Sequence, residues 1–179
     1  MIQEFDNFLT EEECNQFIGL GESRNLQIGT ENSGAIGFRK AKVTWFDKPH
    51  PLIDRVKNEV SRLTGLPVEN QEDMNFIRYG IKGEYKPHRD GCNRLKTALI
   101  YFNEAFSGGE TEFPLINKVI KPKVGKLLIW ENYGSDGKEL ENSLHLGRPV
   151  EMGTKYIGVI WIRNTKYEIK KPDNVKSKN

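Results

Sequence analysis

The 179-residue sequence has few cysteines, little net charge and no long apolar run. Its two cysteines, Cys14 and Cys92, lie far apart and make no metal-binding pair, so a reducing, cytoplasmic setting (of a cell or of an infected host) is expected. No segment approaches the roughly 18 consecutive apolar residues of a membrane helix. The acidic opening stretch, residues 1–13, lacks the apolar core of a signal peptide, so neither membrane span nor leader is expected. A net charge of +2 gives no overall field that would favour nucleic acid. Internal repeats and low-complexity blocks are also absent.

A hydrophobic content of 36% with 29% charged residues places the chain among globular rather than disordered proteins. Its length suits one domain with a sizeable core, expected over residues 1–170. Residues 171–179 then form a flexible basic tail, in which Lys171, Lys176 and Lys178 contribute solvated charge.

The pattern along the chain changes once. Thr10 reads as a helix N-cap with Glu13 at the capping-box position, and Cys14, Phe17, Ile18 and either Leu20 or Gly21 give the apolar side. Residues 25–37 are polar and contain Gly29, Gly34 and Gly37, a loop whose closing over a substrate is one expectation. Residues 42–46 suit a strand. Residues 51–63 carry Leu52, Ile53, Val56, Val60 and Leu63 at helical spacing, ended by Gly65 and Pro67. From Met74 onward, short apolar runs at 74–79, 95–102, 119–120, 126–130, 143–146 and 156–162 are separated by glycine-bearing turns. Many short strands at such spacing predict a mainly β fold with flanking α-helices. The architecture expected is a jelly roll with the N-terminal helices packed on one face.

Chemistry concentrates in a few polar residues of this strand-rich region. His88 and Asp90 are two apart, so on an extended segment both side chains leave the same face. With His145 they make two imidazoles and one carboxylate, the donor set that leaves open positions on a non-haem Fe(II). Lys155 shares strand parity with Ile157, Val159, Trp161 and Arg163. If that face is inward, a buried ammonium needs a counter-charge, which a ligand carboxylate would supply. If Tyr156, Gly158, Ile160 and Ile162 are inward instead, Lys155 is solvated; periodicity leaves both assignments open. The segment Phe106-Ser107-Gly108-Gly109-Glu110-Thr111-Glu112-Phe113-Pro114 reads as a tight turn running into a strand.

Taken in order, Arg78-Tyr79, Tyr85-Lys86-Pro87-His88-Arg89-Asp90, the stretch from Arg94 to Asn103, Gly108 to Pro114, His145 to Val150 and Gly153-Thr154-Lys155 with Trp161-Ile162-Arg163 resemble the catalytic domain of prolyl 4-hydroxylases. These are Fe(II)/2-oxoglutarate-dependent dioxygenases, and the resemblance suggests the compact microbial or viral type. It covers about residues 75–163, with looser agreement through residues 39–46.

The resemblance implies a double-stranded β-helix whose mouth holds the metal. His88, Asp90 and His145 would be the ligands, and Lys155 would pair with the distal carboxylate of 2-oxoglutarate. Tyr79, Tyr101 and Thr111 match positions that hydrogen-bond that co-substrate, while Tyr85, Arg94, Trp161 and Arg163 match positions lining a peptide groove. The implied reaction hydroxylates prolyl residues of a peptide or protein. It consumes O2 and releases succinate and CO2, with ascorbate as a reductant. Related oxygenases acting on another residue or a small molecule share the metal ligands, and a non-catalytic jelly-roll binding module would share the fold. Arg148, before Pro149-Val150, and Lys86 and Arg89, beside the metal motif, depart from the family pattern by adding positive charge.

Overall fold

The computed structural model describes residues 1–29 and 38–168. The expected basic tail at 171–179 and most of the glycine-bearing loop at 25–37 fall outside the described residues. The elements run β1 (Ile2–Phe5), α1 (Glu11–Glu22), β2 (Gln27–Ile28), β3 (Lys42–Phe46), α2 (Pro51–Thr64), β4 (Met74–Tyr79), β5 (Tyr85–His88) and β6 (Arg94–Tyr101). They continue with β7 (Phe106–Gly108), β8 (Thr111–Phe113), β9 (Lys118–Ile120), β10 (Leu127–Glu131), β11 (His145–Gly147), β12 (Val150–Gly153) and β13 (Lys155–Arg163).

Local signals set both helices. At α1, Thr10 accepts from the Glu13 backbone N–H at 3.2 Å while Glu13 accepts from the Thr10 N–H at 2.9 Å, the reciprocal capping box read from the sequence. At α2, Pro51 occupies the first turn, where its missing N–H costs nothing. Gly65 ends that helix at φ +69°, a left-handed geometry that glycine adopts without a Cβ clash. His50 caps the start of α2, its Nδ1 accepting from the Leu52 N–H at 3.3 Å.

The strands form a seven-stranded antiparallel sheet in the order β1-β10-β6-β13-β4-β3-β2 and a four-stranded one in the order β5-β11-β8-β9. A two-stranded ribbon, β12-β7, closes one end. This is the jelly roll, with α1 and α2 on the outer face of the large sheet. Cys14 and Phe17 of α1 and Ile53, Val56 and Val60 of α2 bury there against Met74, Phe76, Ile100, Phe102, Ile160 and Ile162. Phe17 stacks on Phe102 at 4.8 Å between ring centroids. The other face of the same sheet buries Ile77, Leu99, Tyr101, Leu128, Ile157, Val159 and Trp161 against Phe113 and Ile120 of the four-stranded sheet. Both parities of β13 are therefore inward, toward different layers, and Lys155 falls on the face between the two sheets.

Two features go beyond the sequence reading. Residues 2–5 form a true edge strand in register with β10, from Ile2 opposite Trp130 to Phe5 opposite Leu127. Its acidic Glu4 is held by Lys118 and Lys126, each at 3.0 Å, which is why a polar stretch can be a strand at a sheet edge. The turn at Gly108-Gly109 has strand on both sides rather than on one.

Phe17 has no exposed surface and anchors α1 to the sheet. Phe17→Ala is expected to lower unfolding free energy by about 3–5 kcal/mol, read as a fall in the urea midpoint. A loss near zero would show that α1 contributes nothing to the core.

Candidate active site

Strand pairing brings the histidines together. His145 is the residue directly opposite His88 in the β5–β11 ladder, and their rings lie 4.2 Å apart between centroids. Asp90 follows two residues past His88, just beyond the end of β5, and is 7% exposed. His88 Nε2 lies 3.9 Å from one Asp90 oxygen and His145 Nε2 3.9 Å from the other. These gaps exceed a hydrogen bond. One donor atom from each residue lies within 4.8 Å of the others, the only such metal-capable group among the described residues.

Each ring is fixed by its other nitrogen. His88 Nδ1 lies 2.8 Å from the Lys86 carbonyl and His145 Nδ1 lies 2.8 Å from the Ser143 carbonyl. A carbonyl can only accept, so each Nδ1 carries the proton and each Nε2 presents a lone pair toward Asp90. Burial, aided by the neighbouring His145, pushes the His88 imidazole down to about 3, which holds it in the neutral, ligating form. Burial pushes the Asp90 carboxyl up, but His145, His88 and the Thr97 hydroxyl together outweigh it and hold the group below the usual carboxylate range. The Thr97 hydroxyl is itself directed: it accepts from Asn132 Nδ2 at 2.9 Å and so donates to Asp90 Oδ2 at 2.5 Å.

Lys155 opens β13 and is 3% exposed. Its Nζ donates to the Gly109 carbonyl at 2.6 Å and lies 5.2 Å and 5.6 Å from the ring centroids of Tyr79 and Tyr101. Among the described residues it has no ion-pair partner, and burial pushes the ammonium down to about 7. Gly109 sits at φ +68°, and a Cβ there would come within 3.1 Å of the Lys155 stem, so both backbone geometry and space call for glycine. Tyr101 donates to Thr111 Oγ1 at 2.6 Å.

His88, Asp90, His145, Lys155, Tyr79, Thr111, Tyr85 and Trp161 all line one cleft, which encloses about 420 Å³ including the part open to solvent. Tyr85 stacks on His88 at 3.5 Å. Tyr101 stands behind Thr111 and does not itself line the cleft. Arg94 and Arg163 are also off the cleft wall. Arg94 makes a forked pair with Glu72 at 2.7 and 2.9 Å and lies 3.9 Å over the Trp161 ring. Arg163 approaches the same carboxylate at 3.4 Å and donates to the Cys92 carbonyl at 2.9 Å. Arg94 thus braces Trp161 from outside, and Arg163 shares its Glu72 carboxylate.

Sequence reasoning gave no role to three other lining residues, Arg39, Thr97 and Trp130. Thr97 had a signal, being polar in the apolar run of β6 with the parity of Leu99 and Tyr101. Arg39 had only the loose resemblance over residues 39–46, and Trp130 had none, because only the folded layers bring it to the cleft.

Jelly-roll topology, the facing imidazoles with one carboxylate and the buried lysine define a class, the non-haem iron oxygenases. Comparison with known proteins agrees. Residues 74–163 match the sequence profile of the 2OG-Fe(II) oxygenase superfamily, and the chain belongs to that family. A protein of Acanthamoeba polyphaga mimivirus named "Putative prolyl 4-hydroxylase" is 26% identical, covering 90% of this chain and 74% of its own. The human prolyl 4-hydroxylase subunit alpha-1 is 28% identical over 76% of this chain, which spans 28% of that subunit. Among solved structures, the viral collagen prolyl hydroxylase of Paramecium bursaria Chlorella virus-1, in complex with 2-oxoglutarate, superposes with a TM-score of 0.80. That structure is 27% identical and covers 92% of this chain and 96% of its own.

The protein is thus a 2-oxoglutarate-dependent dioxygenase using Fe(II), 2-oxoglutarate and O2. Its residues fit that metal, because two lone-pair nitrogens and a carboxylate oxygen converge without bonding one another. Thr97→Val removes the hydroxyl that orients Asp90 while keeping its shape. Mn(II) or Fe(II) affinity is expected to fall by about 10–100-fold with an unchanged circular dichroism spectrum, measured by metal titration. Undiminished affinity would remove Thr97 from the site.

Proposed function

We propose that the protein hydroxylates prolyl residues of a peptide or protein at C4, one atom of O2 entering the C–H bond and the other ending in succinate as 2-oxoglutarate loses CO2. The observation that carries this reading is the convergence of the His88–Asp90–His145 donor set and the partnerless ammonium of Lys155 in one cleft. The likeness to a viral collagen prolyl hydroxylase over nearly the whole chain supports the choice of proline. Ascorbate as reductant and a cytoplasmic setting belong to the same proposal.

In this mechanism His88, Asp90 and His145 hold the metal. When bound, Fe(II) supplies one-electron redox chemistry and open coordination positions for 2-oxoglutarate and O2. Lys155 takes the distal carboxylate of 2-oxoglutarate, with the Thr111 hydroxyl, itself held by Tyr101, and the Tyr79 phenol beside it. Among the described residues Lys155 has no ion pair, only the field of Glu110, so the co-substrate carboxylate supplies its direct counter-ion and burial of Lys155 becomes selectivity for a diacid. Leu99, Trp130, Ile157 and Val159 give the cleft dry walls, which exclude water from the reacting atoms. Tyr85 and Trp161, the latter set by Arg94, border the space left for the substrate's proline ring.

With Fe(II), 2-oxoglutarate and ascorbate, proline-containing peptides are expected to stimulate succinate release and to gain one oxygen on proline, read by mass spectrometry. His88→Ala or Asp90→Ala should abolish both. Succinate release that no peptide stimulates would overturn the peptide claim and leave the oxygenase in place.

Lys155 sets a pH dependence. Its charged form binds the carboxylate, and in the empty cleft it loses its proton near pH 7. Co-substrate affinity is expected to be flat below that pH and to weaken above it, by up to about tenfold per pH unit. Lys155→Arg, charged throughout, should flatten the profile above pH 7. An unchanged slope in that variant would assign the dependence elsewhere.

A further inference from the structure

Resting on the oxygenase reading above, we infer that Arg39 forms a carboxylate subsite, so that the preferred substrate carries a carboxylate beside its target proline. Arg39 lines the cleft and is 6% exposed, yet among the described residues it has no carboxylate partner. Its Nη2 donates to Asn75 Oδ1 at 3.2 Å, and Asn75, fully buried, is turned that way because its own amide donates to the Thr44 carbonyl at 3.2 Å. Its Nε is buried with no acceptor. The guanidinium carbon lies 5.0 Å from the ring centroid of Tyr85, which itself stacks on His88. This is a fixed guanidinium at the wall of the site, held by a neutral amide and an aromatic face, with donors left over.

Charge matching indicates what it takes. With the metal and co-substrate bound, the two charges of Fe(II) and that of Lys155 would be balanced by Asp90 and the two carboxylates of 2-oxoglutarate, and a further carboxylate, Glu110, acts on Lys155. Among the described residues lining the cleft, Arg39 is then the cation without a carboxylate. Three other arginines nearby are matched: Arg94 and Arg163 share Glu72, and Arg148 pairs with Glu112 at 2.7 Å. Around the mouth, Lys86 and Arg89 are exposed and have no ion-pair partner among the described residues. A buried guanidinium favours a carboxylate over a neutral carbonyl, because the charge-assisted forked pair repays its desolvation. The carboxylate could be a Glu or Asp side chain next to the proline or the free C-terminus of a peptide ending there.

The test uses the full chain with Fe(II) and 2-oxoglutarate without O2, so that binding is read apart from turnover. Three proline peptides are compared by calorimetry: one with Glu flanking the proline and an amidated end, its Gln counterpart, and a Gln peptide with a free carboxylate after the proline. Wild type is expected to bind one of the carboxylate peptides at least about tenfold tighter than the amidated Gln peptide. The peptide that gains identifies a side chain or a terminus as the source. Arg39→Gln should erase the difference and Arg39→Lys keep part of it; should Arg39→Gln fail to fold, the wild-type and Lys comparisons still decide. Equal affinities in wild type overturn the subsite, and hydroxylation of all three peptides on admitting O2 would then leave the proline reading standing. Carboxylate-dependent binding with no oxygen gained on proline would support the subsite and overturn the proline reading instead.

Discussion

Ile160 and Ile162 of β13 lie beneath the two helices, while Ile157, Val159 and Trp161 of the same strand face the second sheet. The large sheet is buried on both faces, and the rest of the molecule depends on that. Helical cover makes its outer face rigid, so the inner face can hold polar groups at fixed positions without the strand sliding. A one-residue slip of β13 would send Lys155 into the helix layer and Tyr156 into the cleft, a change both cores resist. Gly158 fits the same constraint: a Cβ there would meet the Phe102 ring at 2.5 Å, so only glycine lets helix-side aromatics pack this close to the strand.

The cleft is built around unmet electrostatic needs. Asp90 is supported by Thr97 and Asn132 through one of its oxygens, and the imidazoles are oriented by carbonyls at Nδ1, so both Nε2 atoms and the other Asp90 oxygen are left for a metal. Lys155 rests on a carbonyl and two aromatic rings, contacts that tolerate a cation without neutralising it. Arg39 is held in the same manner by Asn75 and Tyr85. Cations kept this way cost stability in the empty protein and gain it on binding, which couples occupancy of the cleft to the charge of what enters.

The outer arginines do different work. Arg94 and Arg163 converge on Glu72, which is 6% exposed, and Arg94 covers the Trp161 ring. From sequence these were groove residues. In the fold neither lines the cleft wall: Arg94 backs its aromatic face and Arg163 shares the Glu72 carboxylate.

Much of this was legible in the order of residues. Spacing alone put His88 and Asp90 on one extended segment, the capping box announced α1, and the pattern of short apolar runs announced a strand-rich roll. Local chemistry suffices for such features, because a cap or a turn is decided within a few residues. What needed the tertiary structure were relations between distant segments: His145 opposite His88, both parities of β13 buried, and Arg39 and Trp130 brought into the cleft. Periodicity could not choose a face for Lys155, since a strand between two apolar layers has no polar side to mark its outside. Sequence determined the donor types and the fold class. Folding decided their register, because pairing across the roll is a non-local choice made by packing on both faces at once.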